Sequence, residues 1–415
     1  MTFGRHRGVV LLALAGLQVV WTVGQVCGGY PYTVVDTGQS TCYGNRGPIA
    51  CPKPTEAFYG QDAQYDGPQM AYRDNGDGTI TDINTGLMWQ KTPDFKNLMT
   101  WYEAVEYADD LELAGHNDWR LPSIKELYSI VDFRGNQHAR KPYLNTTYFD
   151  FEYPRRSTGL RSMDAQYWSG NFYIGRTMRN DLSAFGFNFA DGRIKSYPAN
   201  LTTGPVARRY ARCVRCNQHY GKNKLVDNGD GTVTDAATGL MWQKSDSGTT
   251  MNWREALDYA EKLVYAGHDD WRLPNAKELQ SIVDYTRSPG AADPNVRTVA
   301  IDPILGVTRT ESWFWTSTTH GDNKSHAVYV CFGRALAYDF RSGRFRIDAH
   351  GAGAQRSDPK AGDPVDYPRG LGPQADQIRI YNHVRCVRTA SCDASGDQSG
   401  GTEVKMGKLE AGARR

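Results

Sequence analysis

GHNDWRLPSIKELYSIVD occupies residues 115–132, and GHDDWRLPNAKELQSIVD occupies residues 267–284. The stretches share Trp-Arg-Leu-Pro and Lys-Glu-Leu unchanged, and the shared part reads as a helix start. Leu-Pro leads into Ser123 or Asn275, whose side-chain oxygens can take up free N–H groups of a first turn. Glu126 or Glu278, three positions on, closes a capping box. Ile124, Leu127, Tyr128 and Val131 then form the buried side of one helix, as do Ala276, Leu279, Ile282 and Val283 of the other. Trp119 and Trp271 are expected to plug the core, and Arg120 and Arg272 to brace a loop.

The repetition extends both ways. DNGDGTITDINTGLMWQK from Asp74 is answered by DNGDGTVTDAATGLMWQK from Asp227, an offset of 153. The Asn-Gly and Asp-Gly steps supply positive-φ positions between strands, and Leu87-Met88-Trp89 reads as a short buried strand. An earlier helix in each copy is capped by Thr100 with Glu103, or Asn252 with Glu255. Its apolar stripes are Trp101, Ala104, Val105, Ala108 and Leu111, and Trp253, Ala256, Leu257, Ala260 and Leu263. Gly115 and Gly267 are expected to end these helices. Aromatic strands follow at Tyr167–Ser169, 184–189, Trp313–Ser317 and 327–332. YARCVR ends at Arg215 and HVRCVR at Arg388, where the offset has grown to 173. The added residues are read as a loop inserted at Gly351–Gly372, rich in Gly, Pro and Asp. Each copy is thus a hairpin, two helices and several short antiparallel strands, an α+β order.

DNGDGTxTDxxTGLMWQK, the Trp-led helix, DWRLPxxKEL and RCVR, in that order and in both copies, resemble the C-terminal domain family of the Legionella collagen-like adhesin. The resemblance covers residues 74–215 and 227–388. It implies two tandem C-type-lectin-like domains, related in shape to formylglycine-generating enzymes, in exported or surface proteins that bind glycans or other proteins. No catalytic residue set carries over. This chain has no Gly-X-Y tract, so a trimeric, stalk-borne arrangement does not carry over either.

Arg5, His6 and Arg7 precede the apolar run Val9–Val20, and small or polar residues follow, as in an export signal ending near residue 25. The run is shorter than the ~20 residues of a membrane span; an uncleaved anchor is the alternative. The expected organisation is a signal at 1–25, a disulfide-pinned lead-in at 26–73 and a first repeat at 74–216. A linker at 217–226, a second repeat at 227–388 and a disordered tail at 389–415 complete it. AFYGQDAQY in the lead-in is a candidate strand packed on copy one. All eight Cys lie beyond the signal and would meet an oxidising compartment, periplasmic, cell-surface or secreted. Cys42 and Cys51 bracket a Gly/Asn/Pro-rich loop and are the pair to propose. Cys213 and Cys216 are expected as structural half-cystines rather than as a redox or zinc pair.

DNGDGT invites comparison with a calcium loop, but an EF-hand needs oxygen ligands at alternate positions and a Glu at position twelve. Here those positions hold Gly76, Gly78 and Thr85. A plain turn is the expectation, with calcium at Asp74, Asp77 and Asp82, or Asp227, Asp230 and Asp235, as the alternative and no other cofactor. His116 with Asp118, and His268 with Asp270, are read as structural loop residues rather than acid–base pairs. A formylglycine-generating oxidase would need a suitably spaced reactive Cys pair, which neither copy has. The chain is therefore expected not to be an enzyme.

After signal removal basic and acidic residues balance at 46 each, which argues against nucleic-acid binding. Within each copy the charge is polarised. Residues 62–133 carry 5 basic and 14 acidic side chains, and 134–215 carry 14 and 5. Copy two repeats this more gently, with 7 and 11 in 222–284, then 14 and 10 in 285–388. The basic later halves also hold aromatics. Arg155, Arg156, Arg161, Arg176 and Arg179 stand near Tyr167, Trp168, Phe172 and Tyr173. Arg334, Arg341, Arg344 and Arg346 stand near Tyr338, Phe340 and Phe345. Guanidinium forks suit sulfate and carboxylate, and aromatic faces suit sugar rings. The plainer reading is that basic strands pair with acidic helices inside each domain. The expected function is an exported, non-enzymatic adhesion protein whose two lectin-like domains recognise anionic glycans, with avidity if both engage one polymer. The alternative is a protein-interaction module of an envelope or surface assembly.

Overall fold

The computed structural model describes residues 30–178, 180–200 and 206–390. The expected signal, Cys27, Arg179, Cys392 and nearly all of the expected tail lie outside the described residues. A short pairing of β1 (Cys42–Tyr43) with β2 (Pro48–Ile49) is pinned by the Cys42–Cys51 disulfide, as the spacing suggested. Copy one then runs β3 (Tyr72–Asp74), β4 (Thr79–Asp82), β5 (Leu87–Gln90), α1 (Trp101–Asp109), α2 (Ile124–Ser129), β6 (Gln166–Phe172), β7 (Leu182–Asn188), β8 (Arg193–Asn200) and β9 (Val214–Cys216). Copy two runs β10 (Leu225–Asp227), β11 (Thr232–Asp235), β12 (Leu240–Gln243), α3 (Trp253–Lys262), α4 (Ala276–Ser281), β13 (Trp313–Thr319) and β14 (His326–Cys331). It ends with β15 (Leu336–Asp339), β16 (Arg344–Asp348), β17 (Gln355–Pro359) and β18 (Val387–Thr389). The α+β order is as expected.

All four helices begin with the reciprocal capping boxes that their sequences spell, at Thr100/Glu103, Ser123/Glu126, Asn252/Glu255 and Asn275/Glu278. The indole of Trp101 then donates to Ser169 O and that of Trp253 to Thr316 O, both at 2.8 Å, tying each first helix to the strand it packs on. Gly115 and Gly267 do not end the helices, which stop at Asp109 and Lys262. Instead Ala114 and Gly115 (φ 54° and 74°), like Ala266 and Gly267 (51° and 77°), form a tight turn that joins Leu113 to His116 and Tyr265 to His268. Two successive positive-φ residues are the signature of a type I′ turn.

The DNGDGT hairpin and the RCVR strand of each copy close one four-stranded antiparallel sheet, ordered β3-β4-β5-β9 and β10-β11-β12-β18. Cys213 and Cys386 are buried at equivalent places in these sheets. Cys213 and Cys216 are free thiols, which corrects the half-cystine expectation. Three residues apart along an extended segment, they face opposite sides. Burial pushes the Cys213 thiol up to about 12, so it acts as an apolar core group packed with Trp119.

The later strands of the two copies merge. They form one six-stranded sheet, β13-β14-β17-β8-β7-β6, joined across the copies by the single registered pair Gln355–Ile194. One apolar core spans both copies, with Trp89 and Phe187 from the first and Trp242, Phe314 and Phe332 from the second. The expected inserted loop holds only in part: residues 355–359 of Gly351–Gly372 are β17, the central partner of β14 and β8. Copy one crosses from β7 to β8 directly, whereas copy two detours from β14 to β17 through the separate β15–β16 hairpin. That hairpin is one insertion, and the stretch from β17 to β18, which holds residues 360–372, is the other, being longer than that from β8 to β9.

The lead-in laces the copies together. Its Tyr32 N–H donates to Ala237 O, and Asp62 accepts from Thr37 and from Thr318 of β13. Lys277 of α4 donates at 2.9 Å to Asp36 O of the lead-in and to Ser129 O of α2. AFYGQDAQY is not a strand on copy one: it ends in a 3-10 turn at Asp62–Gln64, and Phe58 packs on Trp253 of copy two. Residues 217–226 are not a free tether either. Tyr220 is buried, Lys125 binds Gly221 O and Asn223, and β10 has begun by Leu225.

Backbone meets backbone where the loop after β13 crosses copy one. A Cβ on Gly321 would lie 2.0 Å from Gly135 O and 2.6 Å from the Tyr143 hydroxyl. Gly321→Ala is therefore expected to cost about 2 kcal/mol, because two main chains must part to admit a methyl group. Urea denaturation checks it, with a loss below ~0.5 kcal/mol indicating that the junction yields freely.

Candidate ligand-binding site

In copy one the aromatic candidates are core residues. Tyr167 and Trp168 are fully buried, and the Trp168 indole donates to Met99 O at 2.8 Å. Tyr173 is buried too, and Phe172 packs edge-on against Trp101. None of Tyr167, Trp168 or Tyr173 can offer a ring face to a ligand, because the strands that carry them are covered on both sides. Arg155 is exposed but paired with Glu152, Arg161 forks onto Asp164, and Arg176 is exposed. The side chain of Arg156 lies outside the described residues.

Copy two differs, because its candidates ride on the inserted hairpin. Arg334, at its start, is held by Glu311 at 2.7 Å. In the hairpin, Tyr338 pairs with Phe345 and Asp339 with Arg344. Pairing therefore puts Arg344 on the face of Asp339, and Tyr338 and Phe345 on the other; the register shifts by one residue at Arg346, whose guanidinium nevertheless reaches Asp339. Arg346 donates to Asp339 at 2.6 Å, and that carboxylate, which also accepts the Arg341 N–H, is held down at about 2. Arg341 and Arg344 are exposed and form no ion pair among the described residues, and Phe340 at the turn is 70% exposed. Two free guanidiniums, a third lightly held, and an open aromatic ring thus share one protruding tip.

The acidic candidates do not converge. Asp74 pairs with Lys91 and Asp227 with Lys244, while Asp77 and Asp230 fold onto Thr79 and Thr232. Asp82 accepts from Thr85 N, and Asp235 from Asn223 and Lys224. Among the described residues no group of three acidic, His or Cys side chains could hold a metal ion. Asp118 and Asp270 receive the forks of Arg215 and Arg388, the last residues of the two RCVR motifs.

Beside the hairpin lies a feature absent from any sequence motif. Two adjoining hollows, of about 420 and 220 Å³, share Arg161, Lys195 and Gln374 as walls and run along the seam where β8 meets β17. Their floor is ionic. Asp191 holds Lys195 at 2.9 Å, and Asp376 accepts from His350 at 2.8 Å and from Arg356. Burial alone would raise the Asp376 carboxyl, but Arg356 and His350 hold it far below the usual range. Burial lowers His350 to about 4, against the pull of Asp376, so the imidazole is neutral at pH 7. A larger hollow of about 850 Å³ lies beside α2, but its buried charged groups, Lys125 and Glu126, are engaged. Lys125 is bound by Gly221 and Asn223, and Glu126 by Arg120 and the helix cap.

Two α+β repeats that share one sheet, a polar seam and a basic, aromatic hairpin make up the described fold. The chain belongs to the Lcl C-terminal domain family, whose profile matches residues 78–215 and again 231–352. The second match stops after the inserted hairpin, short of β18. It is an adhesin-related family and not a known enzyme family. No curated protein matches the chain. Among the described residues no helix is long and apolar enough to cross a membrane.

Proposed function

We propose that this is an exported, non-enzymatic binding protein of the adhesin type, built from two C-type-lectin-like copies, that recognises anionic glycans through the β15–β16 hairpin. The observation that carries this is the exposed tip itself, where Arg341 and Arg344 have no ion-pair partner among the described residues and lie near the open ring of Phe340. Guanidinium forks match sulfate and carboxylate groups, and the ring can pack on a sugar face. Copy one has no counterpart of this hairpin, which makes the chain monovalent in this respect rather than bivalent. The many ion pairs elsewhere, such as Arg208–Glu103 and Arg388–Asp270, support an internal role for most of the remaining basic residues.

Heparin is a suitable probe. The protein is expected to bind it at low salt, and Arg341→Ala with Arg344→Ala should weaken binding roughly tenfold, as losing about 1.4 kcal/mol does. Added salt should weaken it further, because exposed charges are screened. Arg155→Ala should change little, and a chelator should change nothing. No binding to sulfated or uronate polymers at any salt, or binding indifferent to the double variant, would sink the proposal and point to a protein partner.

A further inference from the structure

The two copies treat one shared groove differently. In copy two, between α4, β13 and residues 132–134 of copy one, the groove is filled by the lead-in. In copy one its counterpart, the hollow of about 850 Å³ beside α2, is open. We propose that this open groove is a docking site for a partner protein, which inserts an extended segment carrying an acidic and an aromatic side chain. The site is separate from the hairpin and does not rest on the glycan reading.

The filled groove shows what such a groove holds. Thr37 O accepts the Phe133 N–H at 2.9 Å, Gln39 exchanges bonds with the main chain of Thr319 and donates to Phe133 O, and Lys277 donates to Asp36 O. Asp62 accepts the Thr318 hydroxyl. The Tyr65 ring lies under the Arg272 guanidinium at 5.7 Å, with its hydroxyl on Glu261. The same positions recur in copy one. Asn171 Oδ1 accepts the Ile124 N–H as Thr318 Oγ1 accepts that of Ala276, so Asn171 stands where Thr318 does. By the repeat, Arg120, Asp109 and Tyr285 answer Arg272, Glu261 and Phe133. In copy one these positions are uncovered. Gly170 is exposed and Asn171 half-buried, whereas their counterparts Ser317 and Thr318 are buried. The Arg120 side chain is 32% exposed against 13% for Arg272, the difference that a missing Tyr65 would leave. The Asn171 amide nitrogen and the Tyr285 main-chain N–H and C=O make no hydrogen bond among the described residues. The linker fills only the near end. Gly221 and Asn223 bind Lys125, and the chain then turns into β10 at Leu225, where the lead-in instead runs on through residues 38–66.

The occupant is a partner protein because the chain's own segment of this kind is committed. The lead-in is closed by the Cys42–Cys51 disulfide and bonded to copy two through Gln39 and Asp62. The open groove also continues an existing interface, since Tyr220 on its wall packs against Tyr32 of the lead-in at 4.6 Å. Trp101 already carries Phe172 edge-on, so the ring that Phe58 brings to Trp253 is not needed in copy one. A hollow of this size has room for several side chains, and main-chain bonds along a groove give affinity while side-chain pockets give specificity.

A synthetic peptide of residues 36–68, oxidised and dye-labelled, carries the lead-in's chemistry and serves as the probe. Titrated with the full chain and followed by fluorescence anisotropy, it is expected to bind saturably at micromolar protein, one peptide per chain. Asp62→Ala or Tyr65→Ala, made in the peptide so that the chain is untouched, should each weaken binding roughly tenfold. Phe58→Ala in the peptide should not. In the chain, Thr286→Trp, which places an indole on an exposed wall of the hollow, should weaken binding by about tenfold or more at an unchanged urea midpoint. Arg341→Ala with Arg344→Ala should leave it unchanged. Absence of binding at near-millimolar protein overturns the proposal, and so does binding lost with the hairpin arginines. If Thr286→Trp has no effect, or Phe58→Ala is as damaging as Asp62→Ala, the peptide is displacing the lead-in from copy two and the proposal fails. If the chain dimerises in sedimentation and Thr286→Trp abolishes the dimer, or if the peptide binds only once residues 391–415 are removed, the chain itself fills the groove and the partner is disproved.

Discussion

Arg385→Ala is expected to destabilise the protein by about 4 kcal/mol, although Arg385 touches neither candidate ligand site. The guanidinium is fully buried and holds three main-chain carbonyls: Gln243 O at 2.6 Å, Lys244 O at 2.7 Å and Gly306 O at 2.5 Å. It thereby pins the end of β12 to the loop near residue 306. Burial lowers its pKa to about 10, with Asp246 opposing, so it remains charged at neutral pH. Alanine would strand three carbonyls in a dry interior and leave a cavity. Each unmet acceptor costs roughly 1–3 kcal/mol, partly recovered where water enters. Lysine should recover only part of the loss, since one ammonium cannot reproduce a planar fork. Arg212 makes the same clamp in copy one, on Gln90 O, Lys91 O and Asp150 O, so Arg212→Ala should behave alike. The readout is the urea midpoint at unchanged slope. A loss under ~1 kcal/mol would mean that the carbonyls find other donors. The same clamp explains the repeated RCVR: its first Arg holds carbonyls, its Cys fills the core, and its last Arg forks onto Asp118 or Asp270.

Local features of the fold were legible in the sequence. Capping boxes act over three residues, so Thr100–Glu103 and Asn275–Glu278 could be read directly, as could the Cys42–Cys51 pair across its short loop. Errors arose where tertiary packing decides. Gly115 carries the positive φ that a helix end would use, yet a separate turn uses it. Gly351–Gly372 has loop composition, yet β17 sits at the centre of a sheet because β14 and β8 flank it. Tyr167 and Trp168 look like sugar platforms beside arginines, but a strand covered on both faces buries every other and every intervening residue alike. The hairpin arginines are legible from linear clustering, but only the pairing of Arg344 with Asp339 and the bond from Arg346 to that carboxylate bring the two together. The hollows of the seam could not be read at all. Lys195 and Arg356 are 161 positions apart and meet only through the Gln355–Ile194 pairing of the two copies.

The lead-in is anchored on β13 through Asp62, and Asp62→Asn should expose the pH dependence of that anchor. Asp62 Oδ2 accepts from Thr37 Oγ1 at 2.9 Å within the lead-in and from Thr318 Oγ1 at 2.5 Å on β13. Burial raises its carboxyl from 3.8 to about 7; the two threonine hydroxyls pull it down, and the nearby charges of Asp36 and Glu278 push it up. Below about pH 4 the group is protonated in folded and unfolded chains alike, and its contribution is fully present. Between pH 4 and 7 the unfolded chain gives up the proton while the folded one keeps it, so stability is lost as pH rises, and the loss levels off above pH 7. A shift of about three units corresponds to roughly 4 kcal/mol. Asparagine keeps an acceptor oxygen for both hydroxyls and does not titrate. The stability of Asp62→Asn relative to the parent should therefore climb by up to about 4 kcal/mol from pH 4 to 7.5, with the other buried carboxyls cancelling in the difference. Urea denaturation across that range measures it. A flat difference would mean that Asp62 is ionised in the folded protein at pH 5, with its charge carried by the two threonine hydroxyls rather than displaced by burial.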